Sequence, residues 1–212
     1  MAVGKLWRLA VVCAALALVG TAAAQSLPAT KEFYFDADPA AAPMVAISAQ
    51  EPDLVDQLMR MRDRGRRALE ATVQLGSIAA AQGRMDLAQA LFSEALDATQ
   101  ASSQNGRSVR WNMAWTLYRQ GDAAAALPLW AQALEGTRTD PSWAPPTLAL
   151  VLWKLGRQDE AVKWFAAAVR TEPQQWSNPA SFEQLLPAWL PEERELLAEV
   201  HAAWLANPPA WR

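Results

Sequence analysis

From Pro52 onward the hydrophobic and polar positions of the chain follow a helical period. Leu54, Leu58 and Met61 recur at intervals of four and three residues, which places them on one face of a helix. Proline suits the first turn of a helix because its missing N–H would have no partner there. No long stretch of strand-like alternation follows. The pattern therefore predicts helices separated by short turns as far as Asn207.

The region between residues 69 and 174 repeats one spacing three times. Gly83, Gly121 and Gly156 are separated by 38 and 35 residues. A small residue stands seven positions before each glycine, alanines stand five and twelve positions after it, and an aromatic residue stands nine positions after it. In chain order these are Gly76, Ala114 and Ala149; Ala88, Ala126 and Ala161; Ala95, Ala133 and Ala168; and Phe92, Trp130 and Phe165. A fixed internal period of this length is typical of helical repeat arrays.

Each residue type in this spacing has a physical reason within a helical hairpin. Glycine tolerates the left-handed backbone conformation that a tight turn requires. Small residues let two helices cross closely, and the aromatic side chain fills the wider gap one turn further on. Pro173 ends the helix of the third copy because proline cannot continue the hydrogen-bond ladder. A single hairpin leaves an apolar face exposed, so we expect the copies to stack.

With this spacing the three copies resemble tetratricopeptide repeats (TPRs). The third copy matches best, because every position of the pattern from Gly156 to Pro173 is occupied by the expected residue. The resemblance implies an all-α fold, an α-solenoid of about three TPR helical hairpins. The approximate bounds of the copies are 69–102, 107–140 and 142–175.

The segments that flank the repeats have different patterns. Residues 25–51 are rich in proline and lack a helical period, which predicts an extended arm or linker. Within it, residues 32–36 could form a short strand or dock aromatic side chains on the helices. Residues 52–68 are expected to form an N-terminal helix, and residues 176–212 are expected to form capping helices that are apolar inside and polar outside.

Residues 1–24 have the layout of a secretory signal peptide. Lys5 and Arg8 precede an apolar run from Leu9 to Val19, and small residues ending in Ala24 follow. The apolar run is shorter than the ~20 residues of a membrane-spanning helix. We therefore expect cleavage after Ala24 and export to the periplasm. A membrane association would require that the signal sequence stays uncleaved.

Composition after cleavage narrows the possible chemistry. Removal of the signal peptide would leave 17 basic and 22 acidic residues and would take away Cys13, the one cysteine. The negative net charge gives no field that attracts nucleic acid, and the missing thiols exclude disulfides and cysteine nucleophiles. The sequence contains one histidine, His201, no glycine-rich phosphate loop and no metal-ligand spacing. We therefore predict a non-enzymatic protein with no cofactor and no metal.

The resemblance also implies where a partner would bind. Families with this repeat bind extended peptides or partner proteins in a concave groove lined by the first helix of each repeat. Aromatic side chains and arginine, which dominate binding hot spots, occupy this face in the second and third copies. The candidate partner-binding residues are Trp111, Trp115, Tyr118, Arg119, Trp143, Trp153 and Lys154. The expected partner is a protein or peptide segment of the cell envelope.

Two alternatives stay open at this point. Ten of the eleven tryptophans lie between Trp111 and Trp211, and aromatic platforms also stack on sugar rings, so a cell-wall or surface glycan is the alternative ligand. The same tryptophans could instead pack between helices. A cluster of arginines in the first helix is either a solvated face or a docking site for an acidic partner. Its members are Arg60, Arg62, Arg64, Arg66 and Arg67.

Overall fold

The computed structural model describes residues 27–30, 35–48, 52–135, 137 and 139–210, and the predicted signal peptide lies outside these ranges. Nearly all of the ordered structure in the described part is helical, which confirms the predicted all-α solenoid. Two strands of two residues, β1 (Phe35–Asp36) and β2 (Asp140–Pro141), pair in parallel. The helices are α1 (Leu54–Arg64), α2 (Ala68–Ala81), α3 (Met85–Asp97), α4 (Gln104–Arg119), α5 (Ala123–Glu135), α6 (Ala144–Lys154), α7 (Gln158–Thr171), α8 (Pro173–Trp176), α9 (Phe182–Leu185) and α10 (Pro191–Ala206).

The six central helices form three antiparallel hairpins, and each hairpin corresponds to one copy of the repeat. Helices α2 and α3, α4 and α5, and α6 and α7 pack against each other as pairs. Helix α1 packs on α2 at one end, and α10 packs on α6 and α7 at the other. Pro173 begins α8 at its first position, directly after α7 has ended.

The three turn glycines have the conformation that the repeat predicts. Gly83, Gly121 and Gly156 have φ values of +74°, +90° and +74°. This backbone lets the next N–H reach back to a carbonyl five residues earlier, as in the 2.9 Å hydrogen bond from Arg84 N to Ala79 O. Each first helix is therefore closed by a glycine cap that also starts the turn into the second helix.

We expect Gly83→Ala and Gly121→Ala each to lower the free energy of unfolding by about 1–2 kcal/mol. A Cβ at either position would meet nothing within 4 Å, so the cost comes from the left-handed backbone alone. Urea unfolding, monitored by circular dichroism, measures this change in the free energy of unfolding. Asparagine tolerates this conformation better, so Gly→Asn at the same positions should cost less. Alanine variants as stable as the parent would contradict this explanation of the turns.

The small and aromatic residues of the repeat form the core between the hairpins. The repeat alanines are at most 2% exposed, as are Phe92, Trp130 and Phe165. At Gly76 an added Cβ would lie 3.1 Å from the ring of Phe92, so a side chain at this crossing of α2 and α3 would require the ring to shift. Leu197 of α10 joins the core of the second and third repeats and closes that end of the stack.

Candidate functional site

A cavity of about 770 Å³ opens on the concave face of the stack. The first helices of the three repeats, α2, α4 and α6, form its floor. The segment that precedes α1 forms one wall, and the segment around α9 forms the other. We call it the tryptophan cavity, because its aromatic lining consists of Phe35, Trp111, Trp115, Trp143, Trp176 and Trp189.

One wall of the cavity is an irregular stretch, with a turn from Asp38 to Ala41, that we call the arm (residues 35–48). The arm crosses the concave face from the third repeat towards the first. Its charged anchor is Asp38, whose carboxylate accepts hydrogen bonds from Trp143 Nε1 at 2.9 Å and from the guanidinium of Arg107. The side chains of Asp38 and Arg107 are 8% and 12% exposed, so this ion pair is largely desolvated. The sequence predicted an irregular arm. In the structure this arm lies against the concave face, and its strand β1 pairs with β2.

Two side-chain amides of the first helices hold the backbone of the arm. Asn112 Nδ2 donates to the carbonyl of Ala42 at 3.0 Å, and its Oδ1 accepts from the N–H of Met44 at 2.9 Å. Gln74 does the same at Ile47, where Nε2 donates to the carbonyl at 2.9 Å and Oε1 accepts from the N–H at 3.1 Å. These contacts involve only backbone atoms of the arm. At these two points the concave face holds the arm through its backbone, whereas Asp38 is held through its side chain.

The two amides occupy the same position of the repeat. Gln74 and Asn112 each stand nine residues before their turn glycine, and Thr147 has that position in the third copy. All three line the cavity. Sequence reasoning missed this polar row, although its spacing is visible once the glycines are aligned.

Four of the seven predicted partner-binding residues line the tryptophan cavity: Trp111, Trp115, Arg119 and Trp143. The ring centroids of Trp111 and Trp115 are 5.9 Å apart in an edge-to-face arrangement, and Trp189 approaches Trp115 at 5.2 Å in the same manner. Trp115 is only 6% exposed, so it supports the floor of the cavity more than it presents a free surface.

Arg119 is bound within the protein. Its Nε and Nη2 donate to the two carboxylate oxygens of Glu193 at 2.8 and 3.0 Å, and Nη2 also donates to the carbonyl of Ala188 at 3.1 Å. The guanidinium lies 5.0 Å from the centroid of the Trp115 ring. This pair joins α4 to the start of α10. Glu193 is only 3% exposed, and its carboxylate neutralises the charge of Arg119.

Tyr118, Trp153 and Lys154 are not part of the cavity lining. Tyr118 packs on Trp115 and Trp130 with centroid distances of 5.9 Å. Trp153 donates from Nε1 to Glu199 of α10 at 2.9 Å, and Lys154 is exposed beyond it. The capping helix thus contacts Trp153, which the sequence had assigned to a partner.

Burial, reinforced by the Glu193 carboxylate, raises the pKa of Tyr118 above its usual value of 10.0. The neutral hydroxyl is therefore favoured in the folded state, and its stabilising effect is complete below pH 10 and is lost as the pH rises further. Above pH 10 the parent should lose unfolding free energy more steeply with pH than Tyr118→Phe, by at most about 1.4 kcal/mol per pH unit. Urea unfolding of both proteins between pH 9 and 11.5 measures this, and parallel pH curves would contradict it.

Two members of the arginine cluster make specific contacts within the protein. Arg62 pairs with Glu94 of α3, with Nε 2.9 Å from Oε1. Arg67 donates to the carbonyls of Val45 and Ala46 and so holds the end of the arm. These contacts tie α1 and the arm to the first repeat.

His201 is held in packing and hydrogen-bond contacts within the protein. His201 is 5% exposed, its Nε2 lies 2.9 Å from the carbonyl oxygen of Ser177, and it packs against Phe165, Phe182 and Trp204. Among the described residues, no three His, Cys, Asp or Glu side chains are grouped so as to hold a metal ion. Every helix within the described ranges is too short or too polar to cross a membrane.

The fold and the occupied concave face define a helical-repeat scaffold. Two family models, both of the tetratricopeptide repeat, match the chain, one at residues 67–139 and the other at residues 147–175. The chain therefore belongs to the tetratricopeptide repeat family, whose members are typically non-enzymatic scaffolds that bind protein partners. Searches of curated proteins and of solved structures found no match.

Proposed function

We propose that this protein is a non-enzymatic adaptor that binds a short segment of a partner protein in the tryptophan cavity. One observation carries the proposal: the concave face already holds one non-helical segment, the arm, through Asn112 and Gln74, and leaves an aromatic cavity open beside it. A partner segment lying along the arm would bury its side chains against the tryptophans. Rigid aromatic surfaces of this kind give binding energy at low conformational cost.

The size of the cavity sets the size of the bound segment. At about 770 Å³ it falls within the range of ~300–1,000 Å³ that is usual for ligand pockets. It has room for a few side chains of an extended segment and is too narrow for the body of a folded domain. The partner therefore contributes a loop or a terminus.

The hydrogen bonds already made by polar side chains in the cavity favour peptide binding over glycan binding. Sugar hydroxyls need many free donors and acceptors beside the aromatic platform. In this cavity Asn112 and Gln74 are engaged by the arm, and Arg119 is engaged by Glu193. Three of the polar side chains that a glycan would need are thus engaged within the protein.

A pull-down with variants that fill the cavity tests the proposal. Ala81 lines the cavity and is exposed, so Ala81→Phe narrows the opening without touching the core. Ala90 is equally exposed on α3 and does not line the cavity, which makes Ala90→Phe the matched control. The proposal predicts a protein that the parent and Ala90→Phe recover and Ala81→Phe does not. Equal recovery by all three would overturn it, and loss of binding after glycan digestion would favour the glycan.

We further propose that the protein acts in the periplasm, as part of an assembly of the cell envelope. The support is the layout of residues 1–24, with two basic residues, an apolar run and small residues before Gln25. Fractionation of the native host and sequencing of the mature N-terminus test this. A chain that begins at Gln25 in the periplasmic fraction is expected, and an unprocessed chain in the cytoplasmic fraction would refute it.

A further inference from the structure

The two charged side chains that line the tryptophan cavity differ in whether they have an ion-pair partner. The lining contains two formally charged side chains, Arg119 and Glu172. Arg119 is neutralised by Glu193, as described above. Glu172 receives hydrogen bonds from Gln175 Nε2 at 3.3 Å and Trp176 Nε1 at 3.4 Å, both neutral donors. Within the described part of the chain no basic side chain pairs with Glu172, so the cavity has an uncompensated carboxylate.

The position of Glu172 in the fold adds to this negative potential. Glu172 is the C-cap of α7, a helix of 14 residues. The C-terminus of a helix has a partial negative charge from its unpaired carbonyls and stabilises cations. The Glu172 carboxylate has the same sign as this helix end and lines the cavity, although Glu172 is also the N-cap of the four-residue α8 and Arg170 lies in the last turn of α7.

The aromatic lining favours the same kind of ligand. Indole rings have negative faces that attract ammonium and guanidinium groups. Trp176 is in hydrogen-bond contact with Glu172, and Trp143 and Trp189 line the same cavity. The fold already uses this interaction once, where the guanidinium of Arg119 lies 5.0 Å from the centroid of the Trp115 ring.

We propose that the tryptophan cavity selects a basic side chain, arginine or lysine, of the partner segment and places it among the tryptophans against Glu172. The inference rests on the proposed function and adds the chemistry of the residue that is recognised. An acidic side chain would meet the Glu172 carboxylate and the end of α7. A neutral side chain would desolvate Glu172 and leave its charge with only two neutral hydrogen-bond donors.

A positional-scanning peptide library tests this selection. The probes are capped nonapeptides with random flanks and one fixed central residue, titrated against the intact chain at low salt by tryptophan fluorescence. The arginine and lysine pools are expected to bind about tenfold more tightly than the glutamate and glutamine pools. In Glu172→Gln this preference should fall below about threefold, and in Glu172→Lys the glutamate pool should become the tighter one.

The matched control is Glu183→Gln, because Glu183 is an exposed carboxylate outside the cavity lining. This variant should keep the full preference for basic pools, and circular dichroism should show that all variants keep the parent's helicity and melting. Pools that bind in the cavity without basic preference would overturn the inference and leave peptide capture intact. A basic preference that persists in Glu172→Gln would also overturn it. Failure of every pool to bind would overturn peptide capture as well.

Discussion

Trp130→Ala is expected to lower the free energy of unfolding by about 3–5 kcal/mol, the largest effect of any single substitution considered. Trp130 is fully buried in α5, in the middle repeat. Its ring centroid lies 5.1 Å from that of Trp115 and 5.9 Å from that of Tyr118. Alanine would leave a cavity where the floor of the tryptophan cavity meets the core, so both stability and the shape of the site should suffer.

Trp130→Phe separates the role of ring volume from that of the indole N–H. The indole nitrogen of Trp130 is buried without a hydrogen-bond partner. Replacement by phenylalanine therefore removes this donor and leaves no acceptor without its hydrogen bond. We expect a loss below about 2 kcal/mol for this variant. Urea unfolding of the parent and both variants gives the three free energies. Equal losses for alanine and phenylalanine would contradict the packing role assigned to the ring.

Asp38→Ala is expected to release the arm and to lower the free energy of unfolding by about 3 kcal/mol. The substitution leaves Arg107 buried without its carboxylate and removes the acceptor of Trp143 Nε1. Breaking one side of a buried ion pair is costly because the remaining charge keeps its desolvation penalty. Hydrogen exchange should therefore speed up at the N–H groups of Met44 and Ile47, which Asn112 and Gln74 protect.

Asp36→Ala is the control for the released arm. Asp36 is exposed and belongs to β1, where its backbone makes the strand contact. Its side chain should be replaceable with less than about 0.5 kcal/mol of change. If Asp38→Ala and Asp36→Ala show the same exchange rates in the arm, the buried ion pair does not hold the arm in place.

The repeats were predictable because their signals are local and periodic. The glycine at each turn, the small residues at each helix crossing and the aromatic one turn later depend only on neighbours within one or two hairpins. Gly83 has a positive φ and Ala126 is fully buried, as the spacing predicted. Alignment of the copies also places Gln74, Asn112 and Thr147 at one repeat position. Nothing in that alignment predicts that Asn112 and Gln74 bind the arm, because the arm is distant in sequence.

The composition of the cavity was only partly predictable, because distant segments form its walls. A helical period assigns Tyr118 and Trp153 to the concave face, but it cannot say that the core and α10 cover them. Trp176 and Trp189 come from a segment predicted as capping helices, and they fold back onto the cavity. Nothing local marks Asp38 as an anchor, since its partner Arg107 is 69 residues away.

Site-specific photo-crosslinking tests the central claim, that the tryptophan cavity is the partner-binding site, most directly. A photoreactive phenylalanine at Gln120, which is exposed and lines the cavity, would be compared with the same residue at Ala90 on α3. Partner peptides crosslinked from Gln120, absent from Ala90 and lost when Ala81→Phe is added, are the predicted result. Adducts that form equally from both positions, or that survive Ala81→Phe, would place the partner elsewhere and contradict the account.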